Sequence, residues 1–164
     1  MLIQDTVKVL NDLIDTVKAL NDLIQTSTDR RMGFAEAAGK ATKSELKALF
    51  IRHSADCAAA VIELRRLVAS IGGTPKSSGT FAGMVNRSWL KVKTAIGDAN
   101  VAALEEMERT EDRAATAYAK ALAAGLPVQI RCVVQLQHYG AVRNRNLIRD
   151  LHSCHKVRNE AVTG

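Results

Sequence analysis

Asp5-Thr6-Val7-Lys8-Val9-Leu10-Asn11-Asp12-Leu13-Ile14 runs directly into Asp15-Thr16-Val17-Lys18-Ala19-Leu20-Asn21-Asp22-Leu23-Ile24, and nine of the ten positions are identical. Val7, Leu10, Ile14, Val17, Leu20 and Ile24 recur at spacings of three and four, the stripe of an amphipathic helix and not the alternation of a strand. Ten residues turn a helix through about 1000°, about 80° short of three turns. A seam at 3.5 residues per turn loses only about half a residue over the same stretch. The second copy therefore continues the stripe of the first and lengthens one helix by about 15 Å. Two copies of so short a unit do not make a solenoid; they read as a local duplication. The added length predicts a first helix that overhangs its neighbours by about three turns.

Working outward, helix 1 runs from about residue 4 to 40 and ends at Gly39-Lys40-Ala41-Thr42. Helix 2 starts near Thr42 or Ser44 and runs to Ser70, closed by Gly72-Gly73 with Pro75 beyond, a glycine stop followed by a proline. Residues 72–80 form a linker. A shorter helix over 80–96 carries Phe81, Met84, Val85, Trp89, Val92 and Ile96, with Trp89 as its anchor on the bundle. Gly97 breaks it, and Asp98 is a good N-cap for helix 3, which runs over 99–124 to Gly125. Pro127 opens helix 4, which continues to about 153, leaving 155–164 as a frayed tail. The expectation is an all-α single domain over 1–164. Its short helix lies where a four-helix bundle with one long crossover has its connection.

Composition agrees. The chain of 164 residues is long enough for one domain with a core. Apolar residues make up 47% and aromatics only 4%, so alanine and leucine carry the hydrophobicity, which favours helix. Three cysteines without paired spacing argue against a disulfide framework and for a reducing compartment. Met1 leads straight into Asp5, Lys8 and Asp12 with no signal-peptide pattern. No apolar run approaches the ~20 residues of a membrane span. The expected location is cytoplasmic, with no membrane partner. The net charge of +6 permits contact with nucleic acid without demonstrating it.

Each helix seam is apolar at its ends and polar in its middle. Helix 1 supplies Ser27, Arg31, Phe34 and Ala38; helix 2 supplies His53 and Asp56 between leucines; helix 3 supplies Glu108 and Glu111; helix 4 supplies Gln137 and Asn144. Folding helix 1 on helix 2 places Arg31 level with His53. Folding helix 3 on helix 4 about 125–126 places Glu111 level with Gly140 and Glu108 level with Arg143. Buried charge is costly unless paired or bound to a cation. Two uses of this layer follow. One is a structural network of Arg31, His53, Asp56, Glu108, Glu111, Gln137 and Asn144. The other is a metal site built from His53, Asp56, Glu108 and Glu111, at the level where such bundles hold two metal ions. A buried arginine competes with a metal for the carboxylates, which favours the network.

Two further groups carry polar side chains at regular spacing. Arg131, His138, Arg145 and Arg149 form a basic stripe on helix 4, continued by His152 and Lys156, which could meet nucleic-acid phosphates or simply be a solvated face. His152-x-Cys154-His155 carries metal-capable groups but lacks the fourth ligand that zinc takes.

Several motifs resemble a bacterial family of small, uncharacterised ferritin-like four-helix-bundle proteins, a domain of unknown function. They are Leu20-Asn21-Asp22-Leu23-Ile24, Gly33-Phe34-Ala35-Glu36-Ala37-Ala38, Glu45-Leu46-Lys47-Ala48-Leu49-Phe50, Gly72-Gly73, Gly79 through Trp89, and Glu108-Arg109-Thr110-Glu111-Asp112 with Tyr118. The likeness spans about residues 15 to 151 and implies a ferritin-like fold related to rubrerythrins; it brings no known reaction. Residues 5–14 look like an extra copy of that family's opening segment. The Glu-x-x-His pairs of iron-oxidising relatives are missing, since Glu63 is followed by Arg66 and Glu108 by Glu111, and helix 4 offers only Gln135-Leu136-Gln137-His138. The expected function is therefore self-association or partner binding without a standard di-iron centre, as a homo-oligomer joined through helix 1. No cofactor and no catalytic residue are expected. The alternatives are a metal-binding protein in stress or metal handling, taking iron or manganese, and a nucleic-acid-binding protein using helix 4.

Overall fold

The computed structural model describes residues 1–77 and 97–164. Four helices make up the described chain: α1 (Leu2–Lys40), α2 (Ser44–Ser70), α3 (Ala99–Ala123) and α4 (Val128–Thr163). The short helix expected over 80–96, with Trp89, lies outside the described residues.

Local chemistry ends the first three helices where the sequence suggested. At the end of α2, Gly73 N–H donates to Val68 C=O (3.0 Å) and Gly72 N–H to Ala69 C=O (3.1 Å). Gly72 sits at φ 78° and supplies the left-handed backbone that this stop needs. Asp98 caps α3, its Oδ1 accepting from Asn100 N–H at 2.7 Å. The α1–α2 turn is tied from outside: buried Asn100 accepts from Thr42 N–H (2.8 Å) and donates to Thr42 Oγ1 (2.7 Å).

Cross-helix bonds give the directions. Ser54 donates to Arg31 C=O and Asn21 to Thr74 C=O, so α1 and α2 are antiparallel. Ser27 meets Tyr118 and Arg30 meets Glu111, so α1 and α3 are antiparallel. Tyr118 meets Gln137 and Asp98 meets Asn159, so α3 and α4 are antiparallel. Hence α2 and α3 are parallel, and α3 begins at the opposite end of the bundle from the one where α2 stops. This is the up-down-down-up order of a bundle with one long crossover.

In two places the fold differs from what the sequence suggests. The tail expected to fray over 155–164 is helical to Thr163, and Asn159 Nδ2 holds it to Asp98 Oδ2 at 2.9 Å. The α3–α4 register also differs: Glu108 meets Arg149 and His152, not Arg143. Pro127 has extended backbone (φ −53°, ψ 146°), so the chain runs on past the end of α3 before α4 turns back. Leu126 fills that step, 3% exposed.

Apolar residues form two clusters. One, around Leu20, Leu23, Ile24, Leu64, Val68 and Val134, lies at the end where α1 enters the bundle. The other, around Phe34, Leu46, Phe50, Leu104, Met107 and Ile148, lies at the α1–α2 turn. A polar layer separates them. Residues 1–12 of α1 are all exposed and extend beyond the bundle, as the duplication predicts.

Candidate functional site: the polar layer of the core

At mid-height, α1 turns Ser27 and Arg30 inward, at 0% and 5% exposure. The buried guanidinium is thus Arg30, not Arg31, which is exposed. Arg30 Nε and one terminal nitrogen donate to the two oxygens of Glu111, at 2.6 and 2.8 Å. This bidentate fork is the strongest form of a carboxylate–guanidinium pair. Glu111 is fully buried. Burial opposes the charge on Arg30, but the hydrogen bonds and the charge of Glu111 more than offset it, so the guanidinium is held above its ordinary range.

A second row of bonds joins all four helices. Tyr118 OH (α3) donates to Gln137 Oε1 (α4) at 2.9 Å, which leaves its oxygen to accept from Ser27 Oγ (α1) at 2.8 Å. Gln137 Nε2 donates to Glu63 Oε2 (α2) at 2.8 Å. Burial pushes the Tyr118 hydroxyl and the Cys57 thiol up, the latter to about 12. Both are protonated at neutral pH, and Cys57 is an inert core residue.

The remaining candidates scatter. His53 is buried as expected and packs against Phe34, the rings tilted by 44° with centroids 5.2 Å apart. Burial lowers its pKa, so the ring is neutral at pH 7. Neither ring nitrogen has a hydrogen-bond partner, and Asp56 Oδ2 at 3.9 Å is out of reach. Asp56 itself faces solvent. Glu108 lies on the α3–α4 surface and accepts from Arg149 Nε (2.8 Å), with His152 Nδ1 at 2.9 Å. The Arg149 bond, aided by His152, holds its carboxyl below the usual range against the opposing effect of burial. Asn144 is half-buried. The layer therefore keeps Ser27, His53, Glu111 and Gln137 of the expected residues and exchanges Arg31, Asp56, Glu108 and Asn144 for Arg30, Tyr118 and Glu63.

Arg30 was legible in principle. Leu20, Leu23, Ser27, Arg30, Phe34 and Ala37 follow spacings of three, four, three, four and three, a cleaner stripe than the one through Arg31. Glu63 carries no such mark, because it reaches the layer from an exposed position.

On the basic face, Arg149 pairs with Glu108 and Asp112, and Arg145 lies 3.6 Å from Asp112. His138 is half-buried beside Tyr118 and Tyr139, leaving Arg131 exposed. His152 and His155 turn to different partners, Glu108 and Lys43.

Comparison with known proteins supplies the relationship. The family described as a domain of unknown function (DUF2383) matches residues 15–124. The chain belongs to that family. The match begins at Asp15, so the first copy of the repeat lies outside it. A ferritin-like, diiron-carboxylate protein from Bacillus anthracis str. Ames superposes with a TM-score of 0.68 at 13% identity, covering 86% of this chain and 97% of that one. A protein from Xanthomonas campestris pv. campestris str. ATCC 33913 superposes at 0.75 with 12% identity, covering 90% and 95%. At such identities the likeness establishes the ferritin-like fold alone. No curated protein matches the chain.

The fold raises the question of a di-iron centre, and the residues here do not fit one. Among the described residues no three His, Cys, Asp or Glu side chains converge. The one fully buried carboxylate in the layer, Glu111, has both oxygens engaged by Arg30. A cation placed beside it would meet the guanidinium charge in a medium of low dielectric. No helix among the described residues is long and apolar enough to cross a membrane.

Proposed function

We propose that this protein is a non-enzymatic ferritin-like bundle that acts by association, most simply as a homo-oligomer. The observation that carries this reading is the Arg30–Glu111 fork. It supplies within the chain the positive charge that a metal ion would bring to the layer, and it engages both oxygens of the buried carboxylate there. The exposed apolar extension of α1 supports association, because exposed contiguous apolar surface marks interaction sites. A resident iron or manganese ion has less support, since Asp56 and Glu108 turn away from the core. Nucleic-acid binding through α4 is likewise less supported, because Arg145 and Arg149 already face Asp112 and Glu108.

The test is metal content and mass measured together, on protein expressed in medium supplemented with iron or manganese. The expected result is metal far below one ion per chain and a mass that is a multiple of 17.7 kDa. Stoichiometric metal would overturn the first half of the proposal, and a monomer at every concentration the second.

A further inference from the structure

We infer that the apolar arc of α1 between Leu2 and Asp15 is the contact surface for a second copy of this chain, the two extensions lying antiparallel with Val7 of one beside Leu10 of the other. This rests on the association proposed above and names its surface and partner.

The extension is two-sided, with Thr6, its hydroxyl donating to Leu2 C=O, the one polar side chain on the apolar side. At about 100° per residue, every apolar side chain from Leu2 to Ile14 falls within an arc of about 160°. Asp5, Lys8, Asp12 and Asp15 all fall on the opposite side. Ile3 is 81%, Leu10 54% and Ile14 64% exposed, so nothing among the described residues covers this side of the arc, and Leu13 at its edge is half-buried. The arc carries no charge, so its partner must offer an apolar, helix-shaped face. The same segment in a second copy does so. Pairing the two about the point between Lys8 and Val9 sets Ile3 against Ile14 and Val7 against Leu10, in both directions at once. It also spans the extension from Leu2 to Asp15 end to end.

The bundle decides the direction. Val17 and Asn21 continue the arc toward the bundle, and there it is roofed. A Cβ on Gly73 would come within 2.7 Å of Val17 Cγ2, and the Asn21 side chain bonds Thr74 C=O and Lys76 N–H at 3.1 and 2.8 Å. A partner helix running parallel would drive into residues 73–76 and bring its own bundle into the same space. An antiparallel partner carries its bundle to the far end. The contact is then isologous, as in most two-fold dimers.

Deletion of residues 5–14 tests the surface, because every core residue from Thr16 onward keeps its place. Light scattering over a concentration series should show a dimer for the full chain and a monomer for the deletion, with the melting of the bundle unchanged. Leu10→Glu, which puts a charge into the seam, should weaken self-association by about 100-fold. For direction, Cys132 and Cys154 are replaced by serine, and Ile3→Cys and Ile14→Cys are oxidised separately and mixed. Cross-linking in the mixture only is expected. A full-length monomer would overturn association itself. A dimer that survives the deletion would overturn this surface while leaving association standing. Cross-linking of each variant alone would overturn the antiparallel arrangement.

Discussion

Residues 5–14 and 15–24 carry almost the same side chains in the same helix, and their surroundings are opposite. Leu20 is 0% exposed and Leu10 54%; Ile24 is 2% and Ile14 64%. Asn21 bonds the backbone of Thr74 and Lys76, whereas its twin Asn11 faces solvent. The inner copy meets Leu64, Val68 and Val134; the outer copy runs past the end of the bundle. Sequence thus sets the helix and its apolar arc, and neighbours set whether the arc is buried. Burial of a leucine contributes about 1.5–3 kcal/mol only where something covers it.

The largest expected effect carries the inside–outside contrast to two adjacent arginines. Arg30→Met leaves Glu111 as an unpaired buried charge and should cost about 3–5 kcal/mol in urea unfolding, whereas Arg31→Met should change stability by less than about 0.5 kcal/mol. Adding Glu111→Leu to Arg30→Met should recover most of the loss, because the pair is then replaced by apolar contact. Equal costs at positions 30 and 31 would break the contrast.

The twin leucines come next. Leu20→Ala should cost about 2–5 kcal/mol and Leu10→Ala nothing measurable, at protein concentrations too low for association. Asn21→Ala should cost about 1 kcal/mol by releasing two backbone groups, and Asn11→Ala none.

The smallest effect concerns Asp29, half-buried on the same helix with an unpartnered Oδ1. Burial raises its carboxyl from 3.8 to about 6, against the opposing pulls of Gln25 and Arg113. Between those values the folded chain binds the proton more tightly than the unfolded one, so stability falls as pH rises from about 4 to about 6. Asp29→Asn should flatten that part of the pH–stability curve, leaving the variant the more stable of the two above pH 6 and changing little below pH 4. A curve of unchanged slope would show that Asp29 is solvated like the outer copy.

Much of this was legible along the chain. The stops at Gly72-Gly73 and Gly125, the cap at Asp98 and the polar middle of each seam all stand in the fold. The members of the polar layer were less so. Adjacent residues differ by about 100° around a helix, so a seam read one residue late substitutes Arg31 for Arg30. Asp56 and Glu108 share a face with core residues yet turn aside, because a long polar side chain at the edge of a stripe can reach solvent or a neighbouring helix. Glu108 took the second course, toward Arg149 and His152.

By itself, then, the sequence determined four amphipathic helices, their ends, the overhang of the first and a polar band across the middle. Periodicity, capping and helix-stopping residues act within a few positions, and they need no partner to be read. Tertiary structure alone decided which copy of the repeat is buried, which arginine meets Glu111, and how far α4 slides along α3. Those outcomes depend on the angles and offsets between helices, which the packing of distant side chains and the extended step at Leu126–Pro127 determine.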